Sequence, residues 1–155
     1  MMAKATFKIT GMNDLKHSLN KLGTVPQRHV TASAKKGMDI VLKDAKANAP
    51  YDTGALKQGT VLKPERSSKK GKKVYRVVFD DKMNDTFQKK NAEGKVVAYY
   101  PVSQEYGYFT KNGRYVPGFR FIHNSMDKNA KAMAQKMVDA MKKKVDAEIR
   151  KAGLK

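Results

Sequence analysis

Histidine is the side chain best suited to metal ligation or proton transfer near neutral pH, and this chain has His17, His29 and His123. No two of them stand four residues apart, and no His-Glu-x-x-His occurs, so no single helix face pairs two of them on a zinc ion. A metal centre would need histidines and carboxylates gathered in three dimensions. Exposed positions on helix faces are the expected outcome, and no metal and no cofactor are expected. Gly54-Ala55-Leu56-Lys57-Gln58-Gly59 lacks the Gly-Lys-Ser/Thr ending of a phosphate loop. Gly107 to Gly113 lacks a Gly-x-Gly-x-x-Gly pattern. Asp80, Asp81 and Asp85 lie close together, but no Gly and no closing Glu stand at calcium-loop positions. They read as turn formers whose carboxylates bond their own backbone. With no cysteine there is no disulfide and no thiolate metal site.

One acid stands apart. Glu105 follows an apolar stretch and precedes Tyr106-Gly107-Tyr108-Phe109. Catalysis there would require burial and a raised pKa. The structural reading makes it an acceptor for backbone N–H groups, or for a lysine, and is the one favoured. A second constellation is aromatic: Tyr99, Tyr100, Tyr106, Tyr108, Phe109, Tyr115, Phe119 and Phe121, interleaved with Lys111, Arg114 and Arg120. Such a set can stack single-stranded bases. It can equally form an interface, where Tyr and Arg are enriched. A third is cationic: Lys63, Arg66, Lys69, Lys70, Lys72 and Lys73 face only Glu65 as local counter-charge.

The elements that carry these groups follow from periodicity. Ala5, Phe7 and Ile9 alternate as a strand, and Leu15, Leu19 and Leu22 mark a short helix capped by Asn13 or Asp14 and closed by Gly23. Val30, Ala34, Gly37, Met38, Val41, Ala45 and Ala49 share helical spacing, and Pro50 stops that helix. Leu56–Leu62 reads as a weak strand and Val74–Phe79 as a strong one. Residues 63–73 and 80–94 read as exposed loops, the first of them a mobile hairpin connection. Val96–Tyr106 is a third strand candidate, with Pro101 marking an edge or bulge. Tyr108–Gly118 reads as a loop. From about Asn124 a long helix carries Met126, Ala130, Met133, Met137, Met141, Val145 and Ile149 on one stripe. Methionine there fits a core or an adaptable protein surface. Residues 146–155 are expected to fray or to meet a neighbouring subunit.

The expected fold is therefore α+β: a small antiparallel β-sheet packed against a long helix, with a long C-terminal helix, in one domain spanning 1–155. Lys and Arg number 33 against 14 Asp and Glu, a net charge of +19. A charge of that sign favours acidic partners without choosing among nucleic acid, acidic protein and anionic membrane. The opening residues carry no apolar run of signal-peptide length, and no stretch reaches the ~20 apolar residues of a membrane span. A soluble, unsecreted protein is the expectation.

Two blocks together resemble a known family. The first is Ala45-Lys46-Ala47-Asn48-Ala49-Pro50-Tyr51-Asp52-Thr53-Gly54-Ala55-Leu56. The second is Tyr99 to Gly107, ending Glu105-Tyr106-Gly107, followed by Pro117-Gly118-Phe119-Arg120-Phe121-Ile122 ahead of the long helix. Their order and spacing resemble the tail-component family of long-tailed bacteriophages, also described as tail completion or head–tail joining proteins. Tyr108 replaces a frequent Thr of that family, and His123-Asn124-Ser125 replaces a usual Pro-Ala. The resemblance gives structural roles to Ala49, Pro50, Asp52, Thr53, Gly54, Leu56, Glu105, Gly107, Pro117 and Phe119. In the turn, Asp52 or Thr53 would satisfy backbone groups, Gly54 would take a positive φ, and Leu56 would re-enter the core as strand.

The resemblance implies a non-enzymatic virion protein that forms a ring, sixfold by analogy with tail-tube symmetry, at the head–tail junction or the top of the tail. Its partners would be its own copies, adjacent neck and tail-tube proteins, and genome DNA without sequence preference. Membranes and small-molecule substrates are not expected. It would reside in the virion, and in the host cytoplasm during assembly. Candidate contact residues are Lys69, Lys70, Lys72, Lys73, Tyr106, Tyr108, Phe109, Arg114, Tyr115, Arg120 and Phe121. The alternative is a sequence-independent nucleic-acid-binding protein using residues 63–73 and the basic last helix. An enzyme such as a small hydrolase is the least supported class.

Overall fold

The computed structural model describes residues 27–67 and 69–151. The expected strand at Ala5–Ile9 and the helix carrying Leu15, Leu19 and Leu22 lie outside the described residues, as do His17 and residues 152–155. In chain order the elements are α1 (Gln27–Asn48), α2 (Ala55–Gly59), β1 (Thr60–Pro64), β2 (Tyr75–Phe79), a 3-10 turn (Asp81–Met83), α3 (Asn84–Phe87), β3 (Gln88–Lys90), β4 (Val96–Tyr99), α4 (Tyr100–Tyr106), β5 (Tyr108–Phe109), β6 (Tyr115–Val116) and α5 (Phe121–Lys151). The class is α+β, with two long helices and small sheets. The strands pair two by two among the described residues: β1 with β2, β3 with β4, β5 with β6.

Both long helices stand where the small and apolar stripes place them. α1 has 22 residues and stops just before Ala49-Pro50. α5 has 31 residues and starts at Phe121, three residues before the expected Asn124. It runs unbroken through Lys151.

Four expectations for the middle of the chain are corrected. Leu56 sits in α2, and the strand begins only at Thr60, because the turn after Pro50 winds into a short helix. Residues 80–94 are not a bare loop. They hold a 3-10 turn, α3 and β3, and bury Phe87 at 1% exposure. The strand expected over Val96–Tyr106 ends at Tyr99, and α4 follows with Pro101 in its first turn, where a missing N–H costs nothing. Tyr108–Gly118 contains the β5–β6 hairpin, paired Tyr108 to Val116 and Phe109 to Tyr115.

The chain's contacts gather into two units. Unit 1 takes in residues 27–38, 64–75 and 130–151 of the described chain. Here the first half of α1 faces the second half of α5. Met38, Met133 and Val145 are buried, and Met137 lies against Gly37, where the missing side chain makes room. His29 is buried rather than exposed on a helix face, and its Nε2 stands 3.0 Å from Glu148 Oε1.

Unit 2 takes in residues 39–63 and 76–129. Its core is Ala55, Leu56 and Phe87, with Ala49, Phe79, Met83, Tyr99 and Tyr100 packed around them. Phe79 of β2 meets Phe87, Tyr99 and Phe121 at 6.1, 6.4 and 6.3 Å between ring centres. The Phe87 and Tyr99 contacts are edge-to-face, which adds about 0.5–1.5 kcal/mol per pair beyond area burial, and the Phe121 contact is tilted. The Phe79–Phe121 contact packs the β1–β2 hairpin on the start of α5.

Candidate functional site

The first block folds as a helix stop followed by a tight return. Pro50 follows α1, and Tyr51, Asp52 and Thr53 are exposed. The Thr53 hydroxyl accepts from Ala55 N at 3.4 Å, so Thr53 and not Asp52 satisfies the turn. Gly54 takes φ 78° and ψ −1°, and its carbonyl accepts from Gln58 N at 3.0 Å, starting α2. Leu56 then enters the core at 2% exposure, delivered by a helix. Across the sheet the Lys63 ammonium pairs with the Asp81 carboxylate, which raises the Lys63 pKa. Asp80 Oδ1 accepts from Lys82 N at 3.2 Å, the turn role expected of these aspartates. Burial raises the Tyr99 pKa, with Asp81 adding to it, and the Tyr99 hydroxyl donates to Asn84 Oδ1 at 3.3 Å.

The second block is tied together through Glu105. Its side chain is 2% exposed and accepts from two backbone groups at the start of α5, Ile122 N at 3.0 Å and His123 N at 2.9 Å. A carboxylate there pairs donors that no helical carbonyl can reach and complements the positive end of the helix dipole. A cap normally comes from the residue just before the helix. Here Arg120 holds that place with φ 51°, and the capping side chain arrives from α4 instead. His123, by contrast, is partly exposed and pairs with Asp127 at 3.2 Å.

The backbone fastens the same corner. Phe119 N donates to Gln104 O at 2.7 Å and Arg120 N to Glu105 O at 3.0 Å. The Tyr115 hydroxyl donates to Tyr106 O at 2.6 Å. Gly107 takes φ 87°, and a Cβ on it would run into Val116 O, Tyr115 Oη and Gly118 N. Gly118 in turn lies directly over Gly107 N and Glu105 O. Two chain segments thus meet backbone to backbone, which only glycine permits at both positions. Glu105-Tyr106-Gly107 and Pro117-Gly118-Phe119 form one knot at the root of α5.

Around this knot, side chains that a core would normally hold point outward. Tyr106, Tyr108, Phe109, Tyr115 and Phe119 are between 47% and 72% exposed, and Val102 adds 45%. Phe109 and Tyr115 stack across the hairpin at 5.2 Å. Arg114, Arg120 and Pro117 are exposed alongside them in the chain. Phe121 does not belong with these residues. At 2% exposure it is a core residue, as Tyr99 and Tyr100 largely are. The aromatic cluster of the sequence therefore splits into a packed half and an outward half.

Lys69, Lys70, Lys72 and Lys73 form a separate group in unit 1, on the loop from β1 to β2. Gln27, absent from the expected site residues, ties this loop down. Its amide donates to Lys72 O at 3.0 Å and accepts from Gly71 N at 2.8 Å. Asp44 and Ser125 also went unnoticed in the sequence. Burial raises the Asp44 pKa, but the Ser125 hydroxyl, Lys128 and Asn129 lower it further, leaving it below the ordinary value. Asp44 Oδ2 and Ser125 Oγ complete no hydrogen bond of normal geometry, so the Ser125 hydroxyl favours the charged carboxylate by proximity while enclosure opposes it. Lys128 Nζ reaches Asp44 Oδ1 at 3.2 Å.

No group of three or more His, Asp or Glu among the described residues is arranged to hold a metal ion. No helix among them is long and apolar enough to cross a membrane. The family described as "Bacteriophage HK97-gp10, putative tail-component" matches residues 13–113. No curated protein and no solved structure matches the chain.

Proposed function

The chain belongs to the HK97-gp10-like tail-component family of bacteriophages, and from that premise we propose that it is a structural virion protein of a long-tailed phage, forming a ring at the head–tail junction or the top of the tail. The observation that carries this reading is the outward aromatic face, Tyr106, Tyr108, Phe109, Tyr115 and Phe119, seated on the knot of Glu105-Tyr106-Gly107 with Pro117-Gly118-Phe119. An exposed apolar surface of this kind normally marks a contact site. The knot holds it rigid, which limits the entropy lost when a partner docks.

In this reading the whole chain acts as one tail-component domain without catalytic activity, and no cofactor takes part. A ring needs a head-to-tail interface that closes on rotation. Six copies match tail-tube symmetry. The face around Phe109 meets an adjacent copy, with Arg114 and Arg120 at the rim. Each copy brings a charge of +19, so acidic surfaces on neighbouring neck or tail-tube proteins offset the repulsion, and the ring assembles on a partner more readily than alone. Assembly takes place in the host cytoplasm and ends in the virion.

Deleting the gene from the parent phage tests the role. The expected result is full heads and separate tails in the lysate, with infectivity restored by the gene in trans. Normal joined particles from the deletion phage would refute it.

A further inference from the structure

The lysine loop of unit 1 encloses a hollow that the tail role does not use. It has a volume of about 160 Å³ and is lined by Gln27, Thr31, Ser67, Lys69, Lys70, Lys72 and Lys73. Water occupies about 30 Å³ per molecule in the liquid, so the hollow has room for roughly five non-hydrogen atoms. A phosphate group has that many. We infer that this hollow binds a phosphate oxyanion, supplied by the backbone of a nucleic acid.

Three observations carry the inference. First, the charge is one-signed: among the described residues that line the hollow there are four lysines and no carboxylate. Second, the loop is held in shape. Gln27 spends its amide on Gly71 N and Lys72 O, and Lys73 Nζ donates to Glu65 O at 3.0 Å while lying 5.9 Å from the centre of the Tyr75 ring. The loop backbone that carries the lysines is therefore fixed before any ligand arrives, and less loop entropy is lost on binding. Third, the Thr31 hydroxyl in the lining suits a phosphate oxygen, while the Ser67 hydroxyl bonds Lys69 N and O and steadies the loop.

The lining also separates phosphate from an acidic peptide. Lysine serves phosphate as a point charge, and a carboxylate, with only three non-hydrogen atoms, would fill less of the hollow. No arginine lines the hollow among the described residues. Nothing there reads a base edge, so binding follows phosphate density and not sequence. The inference stands apart from ring assembly, since it concerns a different group of residues and a single copy suffices.

Fluorescence anisotropy with a short labelled DNA duplex, across about 0.05 to 0.2 M salt, tests it. Lys70→Gln with Lys72→Gln removes two exposed charges from the hollow. The hollow holds one phosphate, and losing that contact makes the logarithmic salt slope shallower by about one, so the pair should lower it by about one and weaken binding on the order of tenfold. Lys89→Gln with Lys90→Gln removes equal charge from exposed positions on β3 and should leave the slope unchanged. Gln27→Ala removes no charge, yet should weaken binding severalfold by releasing the loop. Inorganic phosphate should compete with the duplex in the unaltered protein. Equal losses from the two lysine pairs would overturn the proposal. So would phosphate that binds while the duplex ignores the Lys70 and Lys72 changes, or polyglutamate that binds as tightly as DNA of equal charge.

Discussion

At the scale of single residues, Glu105 does the most. It joins α4 to the start of α5 by accepting from Ile122 N and His123 N in a buried place. Glu105→Ala would leave both donors enclosed and unpaired. The expected loss is about 3 kcal/mol, since each stranded donor costs roughly 1–3 kcal/mol and local relaxation returns part of it. Glu105→Gln keeps one acceptor oxygen and should lose about half as much. Urea unfolding of the two variants measures this; a loss below about 0.5 kcal/mol for Glu105→Ala would place it among ordinary surface changes and contradict the capping role. The preference for a structural Glu105 was legible in the sequence, because an acid ahead of Tyr-Gly had no partner group for chemistry. That its partners would be the first amides of a helix seventeen residues on was not legible. The close backbone approach of Gly107 and Gly118, with the Phe119–Gln104 and Arg120–Glu105 hydrogen bonds beside it, brings the two segments together.

At the scale of elements, the long helices were readable and the short pieces were not. A stripe of seven positions from Val30 to Ala49 admits one period, and the helix over Gln27–Asn48 follows it. Residues 80–94 are polar enough to read as loop, yet Met83 and Phe87 stand four apart and pack on the core from one turn of helix. That i, i+4 pair was the available signal, and it is too short to stand out from its charged neighbours. Pro101 was read as an edge or bulge of a strand, when the same residue starts a helix equally well.

The pairing of α1 with α5 inside unit 2 rests partly on charge. Asp44 is held below its ordinary pKa by Ser125, Lys128 and Asn129 against the opposing effect of burial. A lowered folded pKa stabilises the fold above the unfolded value, near 3.8, and that contribution disappears as pH falls through the folded value. Stability should therefore hold from neutral pH down to about 5 as far as this group is concerned, then drop on the acid side. Asp44→Asn should flatten that acid limb in urea titrations taken at successive pH values. An unchanged acid limb in the variant would contradict the assignment.

At the scale of the whole molecule, the balance is between a net charge of +19 and an aromatic face that water does not favour. In the proposed ring, charge would keep free copies apart, and the apolar face would draw them together once a partner neutralised part of it. Phe109→Ser with Phe119→Ser should leave the unfolding free energy within about 0.5 kcal/mol, because both side chains stand in solvent. The same pair should fail to restore infectivity to the deletion phage. Restoration at the unaltered level would remove the aromatic face from the account. The family block was legible because turn and knot residues have fixed chemical requirements. The split of the aromatic residues was not, since Phe119 and Phe121 differ only by which side of Arg120 they stand on.

Cryo-electron microscopy of the parent virion tests the central claim most directly. The account predicts a closed ring of this chain on the tail axis, at the head–tail junction or the top of the tail, with the Tyr108, Phe109 and Tyr115 hairpin buried between adjacent copies. A virion that lacks the protein, or carries single copies away from that axis with the hairpin open to solvent, would contradict it.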